Sequence, residues 1–195
     1  MSMDEVDEKV GQSKKILDAA YECISAKGYA NVSLREIAER AGVVLSQLNY
    51  YYGNKEGLFK EVIKLMMAKY LVEVERCLNK GETAKEKMSN LIKFFKEMLR
   101  NNPGLFRLFY DFNGLALWSP PFRDLLRKLF KDLSGMIEKT VLKNTQLKDS
   151  MQGYPPKFLA RMILGAMFGT AIQVILDREE ENLPDALNAV QIIFE

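Results

Sequence analysis

An all-α fold of about nine helices follows from three features of the 195-residue sequence. Apolar residues recur at helical spacing in segment after segment, capping residues punctuate those segments, and no stretch alternates apolar and polar residues as a strand would. The composition, 48% hydrophobic and 28% charged, suits a soluble globular chain with a substantial core.

The first helix is expected over Lys14 to Lys27, where Ile16, Leu17, Ala20, Tyr21 and Ile24 share one face and Gly28 stands at the left-handed cap position. Ser33 followed by Glu36 is a capping-box pair that opens a second helix from Leu34 to about Arg40, closed by Gly42. A short third helix follows from about Leu45 to Tyr51 and breaks at Gly53, and Asn54 then caps a long helix running to about Asn79. The remaining helices are expected over about Thr83–Asn101, Pro103–Leu117, Pro121–Lys143, Pro156–Arg178 and from Leu183 to the end. Prolines near their openings sit where a missing N–H costs least. A self-contained three-helix pattern at the start and longer, Phe- and Met-rich helices afterwards divide the chain into residues 1–55 and 56–195.

Two short helices joined by Ala41-Gly42-Val43 form a helix-turn-helix pattern: Ala38 permits a close crossing, Gly42 the turn, and Val43 fills the corner. The second helix of such a unit suits the major groove, although a plain helical hairpin inside an all-α core has the same pattern. Between Lys9 and Lys60 there are eight basic residues against five acidic ones, a modest bias in a chain whose formal net charge is +2.

The stretch "VSLREIAERAGVVLSQLNYYYGNKEGLFKEVI", Val32 to Ile63, resembles the DNA-binding signature of TetR-family transcriptional regulators. It shares the Ile-Ala pair, the Ala-Gly-Val turn, the aromatic end of the third helix and the Lys-Glu-x-Leu opening of the fourth. The preceding "ILDAAYECISAKGYANVS" is similar to that family's first helix, so the resemblance spans about a third of the chain. It implies that Ser33 and Arg35 approach phosphates, that Val44, Leu45, Ser46, Gln47, Asn49 and Tyr50 form the recognition surface, and that Lys55 clamps a phosphate. Where the family carries polar residues after the turn this chain has Val44 and Leu45. These could meet thymine methyl groups or pack inward, with packing the weightier reading for Val44, while Gln47 and Asn49 could pair with adenine edges. Helical angle separates the three tyrosines: with Leu48 inward, Tyr50 points out, Tyr52 is a core anchor, and Tyr51 lies at the rim with its hydroxyl able to reach phosphate.

Catalysis finds little support, because the chain has no histidine, no Cys or carboxylate cluster at metal spacing, and no phosphate-cradling glycine loop. No cofactor or metal is expected. The resemblance implies instead a C-terminal domain that binds a small apolar or aromatic effector and releases the operator DNA. The candidate pocket residues are Phe94, Met98, Phe109, Trp118, Met162 and Gln173. It also implies a homodimer on the last two helices. There Gly165 and Gly169 permit close approach and Leu187, Val190, Ile193 and Phe194 supply apolar contacts. The rival reading is a helical small-molecule-binding or scaffolding protein that has lost DNA binding. The acidic start "MSMDEVDEKVG" lacks the order of a secretory signal, and Phe158–Leu176 is broken by Arg161 and Gln173. A cytoplasmic chain with no membrane span and two reduced, buried cysteines, Cys23 and Cys77, is therefore expected.

Overall fold

The computed structural model describes residues 3–143, 145, 147 and 149–194, with the side chains of 3–10, 150 and 193 left aside. Ile193 thus lies outside the described side chains. No described residue is in a strand, and eight α-helices run in order: α1 Met3–Lys27, α2 Leu34–Ala41, α3 Leu45–Tyr52, α4 Lys55–Asn79, α5 Ala84–Asn101, α6 Pro103–Trp118, α7 Pro120–Ile137 and α8 Pro156–Leu176. A π-helical turn, Glu138–Leu142, widens the end of α7, and a 3₁₀ helix, Leu183–Phe194, follows α8.

The largest departure from the sequence-based boundaries is at the start, where α1 begins at Met3 rather than Lys14. The extra turns have a partner: Gln12 accepts a hydrogen bond from the Tyr51 hydroxyl at 3.3 Å, and the Ser13 carbonyl accepts one from Tyr52 at 2.9 Å. The beginning of α1 is therefore braced against the end of α3.

At α2 the Ser33 hydroxyl accepts from the Glu36 N–H at 3.1 Å, but the reciprocal half of the expected capping box is not made. Glu36 turns to Lys27 instead, an ion pair whose proximity holds the carboxyl below its ordinary value and the ammonium above its own. Gly42, at φ +67°, takes the left-handed conformation that a side chain resists and sends its N–H back to α2. Gly57 answers a different constraint: an added Cβ would sit 2.1 Å from the Tyr52 carbonyl oxygen, so only glycine lets α4 start this close to the end of α3.

One apolar core runs through both halves of the chain, from Ile16, Ile37 and Leu48 to Phe95, Phe112 and Ile163. The core is continuous across residue 55. Phe59, fully buried near the start of α4, joins the halves: its ring lies 4.5 Å from Tyr29 and 5.5 Å from Phe122. Cys23 is buried, whereas Cys77 is only partly so, and both are free thiols whose pKa burial raises.

Candidate DNA-reading face and effector cavity

The helix-turn-helix holds α3 by a single fully buried residue of its own, Leu48, and turns its other side outward. Val44, Ser46, Asn49 and Tyr50 are exposed there, with Leu45 and Gln47 half-exposed between them. Val44 is 61% exposed, so it does not pack inward: as the extended residue before the helix it faces solvent. Gln47 is partly committed, since its Oε1 accepts the Val44 N–H at 3.2 Å and caps the helix, leaving the amide nitrogen for other partners. Ser33 and Arg35 are exposed at the start of α2.

The tyrosine run separates by environment. Tyr50 is 73% exposed. Tyr52 packs on the core with its hydroxyl bonded to Ser13, and burial keeps that phenol neutral. Tyr51 is half-buried and donates its hydroxyl proton to Gln12 on α1, so the proton expected to reach phosphate is already in use.

Lys55 occupies the first position of α4, the positive end of the helix dipole, where a cation is disfavoured. Its ammonium is drawn to the α1–α2 turn, 4.5 Å above the Tyr29 ring and 3.5 Å from the Ala30 carbonyl, which compensate for that placement. The same turn is tied to the other half of the chain. Asp111 on α6 accepts the Tyr29 backbone N–H at 2.7 Å and comes within 3.4 Å of the Cβ position of Gly28, itself at φ +84°.

Two cavities with a shared wall lie among α1, α4, α5, α6, α7 and α8. The inner one has a volume of about 20 Å³, and its wall is made entirely of apolar side chains and Tyr70. Met66 and Met67 of α4, Met98 of α5, Leu105, Phe106 and Phe109 of α6, Leu129 of α7 and Phe168 of α8 converge on it. The outer cavity, about 400 Å³, shares Met66, Tyr70, Met98 and Leu105 with the inner one. It adds a polar rim of Asp18 and Tyr21 from α1, Lys69 and Glu73 from α4, and Asn102 before α6.

Of the residues named from sequence as pocket candidates, Met98 lines both cavities, Phe94 the outer and Phe109 the inner. The other three lie elsewhere. Trp118 ends α6 at 85% exposure and Met162 is 50% exposed on the outer face of α8. Gln173 is also exposed and returns its amide to the Gly169 carbonyl of its own helix. Helical spacing does not reveal which turn of a long helix faces a gap, so Tyr70 and the adjacent Met66 and Met67 were passed over. The pair of neighbouring methionines in "KLMMAKY" was the available signal.

The outer face of α8 carries Phe158, Met162, Gly165, Ala166 and Leu176, all exposed, and an added Cβ at Gly165 or Gly169 would meet open space. By length and composition alone this helix could cross a membrane, with a third of its apolar window buried in the protein. Leu187, named from sequence for a dimer surface, is fully buried within the chain instead. Its 3₁₀ helix is held against α5 by Lys96, which reaches Asp185 at 2.7 Å and Asn188 at 3.0 Å. Val190 and Phe194 are half-buried on the same core. Among the described residues no cluster of His, Cys, Asp or Glu could hold a metal ion.

Comparison with known proteins agrees with this architecture. Residues 16–62 match the family described as bacterial regulatory proteins, tetR family. The chain is 24% identical to the fatty acid metabolism regulator protein of Bacillus subtilis over 179 residues, 90% of each chain. Its fold is shared with the Bacillus subtilis transcriptional regulator FadR solved in complex with stearoyl-CoA, at TM-score 0.71 and 22% identity over 92% of this chain and 97% of that one. It is also shared with a TetR transcription regulator from Haloarcula marismortui, at TM-score 0.75 and 17% identity over 95% and 97% of the two chains. With its reading helix, turn and fourth-helix opening in register with that family, the N-terminal stretch over residues 16–62 carries the domain of the tetR family of bacterial regulatory proteins, and the whole chain shares the fold of solved regulators of that type.

Proposed function

We propose that this regulator is a repressor that binds its operator as a two-fold pair and leaves it when an acyl-chain effector enters the C-terminal half. The observation that carries this reading is a pair of cavities with a shared wall, one small and lined by apolar side chains and Tyr70 and the other larger with a polar rim, which suits a molecule with a long apolar tail and a hydrophilic remainder. The likeness to the fatty acid metabolism regulator and to the stearoyl-CoA complex supports that class of effector.

The inner chamber, at about 20 Å³, is too small for a chain, so an effector has to push its wall apart. Methionines yield most readily, being unbranched and flexible. The wall helices are the ones that hold the reading unit: α4 begins beside α3, and α6 carries Phe109 on the cavity and Asp111 on the Gly28-Tyr29 turn. The vestibule borrows Asp18 and Tyr21 from α1, so a head group there touches the reading half directly. The closed chamber corresponds to the operator-binding state, and filling it shifts the population away from that state.

DNA contact falls to Arg35, Ser33 and the exposed face of α3, while Gln47 and Asn49 supply amides and Val44 a methyl-sized apolar contact. One eight-residue helix offers few base contacts, and a symmetric pair set one helical turn apart, about 34–36 Å, doubles them. The exposed stripe of α8 fits a second copy of the same chain, its glycines allowing close approach.

Fluorescence anisotropy with promoter DNA of the gene itself tests the reading. Sequence-selective binding that weakens steeply with salt and is reversed by stearoyl-CoA is expected. Absence of binding at low salt would favour a helical ligand-binding protein without operator function. A Gly169→Glu variant, which sets a charge on the stripe, is expected to sediment as a monomer and to lose operator affinity while remaining folded.

A further inference from the structure

The two cavities share Met66, Tyr70, Met98 and Leu105 in their walls, and the one side-chain hydroxyl among these four, that of Tyr70, has no hydrogen-bond partner among the described residues. Its ring packs 6.1 Å from Phe94, yet among the described residues its hydroxyl has no hydrogen-bond partner. The hydroxyl is not fully buried, since among the described residues no fully buried side-chain polar atom lacks a partner. Tyr110 makes the contrast: its hydroxyl is held by the Phe168 carbonyl at 2.5 Å, and burial pushes its pKa up to about 12. A partly accessible phenol without a protein partner is available to a polar group that enters beside it.

Resting on the acyl-effector reading above, we infer that Tyr70 is the specificity-determining donor for the effector, giving its hydroxyl proton to an uncharged carbonyl at the junction of apolar tail and polar head. Three facts select that chemistry. A tyrosine hydroxyl at its ordinary value already keeps its proton at neutral pH, and burial raises that of Tyr70 further, so the group can donate. The chamber beyond it is walled by aliphatic, methionine and phenylalanine side chains with no cation among them, which disfavours a carboxylate at this depth. The rim outside offers one cation, Lys69, against two carboxylates, Asp18 and Glu73, so no concentrated positive charge waits for a free fatty acid. A thioester, ester or amide carbonyl meets these conditions, with its chain in the chamber and its larger hydrophilic part in the vestibule.

The test compares stearoyl-CoA with S-octadecyl-CoA, the thioether in which a methylene replaces the carbonyl, on the wild-type protein and on Tyr70→Phe. Binding is followed by calorimetry and by operator release. Wild type is expected to bind the thioester about tenfold more tightly than the thioether, and Tyr70→Phe to bind both alike at the thioether's level. Because the hydroxyl has no hydrogen-bond partner among the described residues and is not fully buried, the variant is expected to melt at a nearly unchanged temperature. Equal affinities of wild type for the two probes, or a Tyr70→Phe loss that is the same for both, would overturn the carbonyl assignment while leaving the acyl effector standing. Failure of wild type to bind either probe would overturn the acyl reading and the assignment with it.

Discussion

The two functional regions of this molecule are built from the same residue types used in opposite ways. In the proposed reading unit the tyrosine assigned to DNA is the one the fold turns out, Tyr50 at 73% exposure, and the hydroxyls of Tyr51 and Tyr52 bond to Gln12 and Ser13. In the proposed effector half the groups that line the cavities lie between helices, and what matters is the space they leave. A surface is defined by which residues are exposed, and helical angle predicts that from sequence. A cavity is defined by how several helices fail to close against one another, a property of none of them singly.

The comparison is broken most severely at the residue the regions share. Phe59→Ala removes a fully buried ring between Tyr29 and Phe122 and is expected to cost about 3–5 kcal/mol, measured by chemical denaturation. If the core is one cooperative unit, signals from the reading unit and from Trp118 at the end of α6 disappear together; separate transitions would mean two independently folding halves.

Asp111→Ala leaves the Tyr29 N–H without its acceptor and is expected to cost about 1–3 kcal/mol. Its sharper consequence is functional: the operator should still be bound, but a saturating effector should release it less completely, because α6 has lost its hold on the turn. Asp111→Asn, whose amide oxygen can still accept, is expected to restore release. Release that stays complete in the alanine variant would remove this link from the coupling.

Within the tyrosine run the expected effects are smaller and separate stability from reading. Tyr52→Phe loses the hydrogen bond to Ser13 and is expected to cost about 0.5–1.5 kcal/mol with little change at the operator once the protein is folded. Tyr50→Ala is expected to move stability by no more than about 0.5 kcal/mol while weakening operator affinity severalfold. The opposite pattern in thermal melts and anisotropy would reverse the assignment of the two rings.

Legibility from sequence followed the same division. Ser33, Gly42, Gly53 and Asn54 mark helix ends through short-range chemistry, and they stand at those ends in the structure. The Ile37 and Leu48 core positions followed from a period of 3.6. Leu187 and Trp118 went the other way. An apolar residue on a terminal helix is equally suited to its own core or to a partner, and a tryptophan at a helix end has no local signal that decides its direction.

The order and punctuation of the helices, the reading helix and the outward angle of Tyr50 are determined by the sequence itself, because backbone capping and helical periodicity act over a few residues. The long-range arrangement belongs to the tertiary structure alone. Asp111 reaches a turn 82 positions away, Lys55 lies over Tyr29, and Tyr70 lies in the wall that two cavities share. Each of these depends on which helix faces break contact and which meet, and that is settled only when all the helices pack at once.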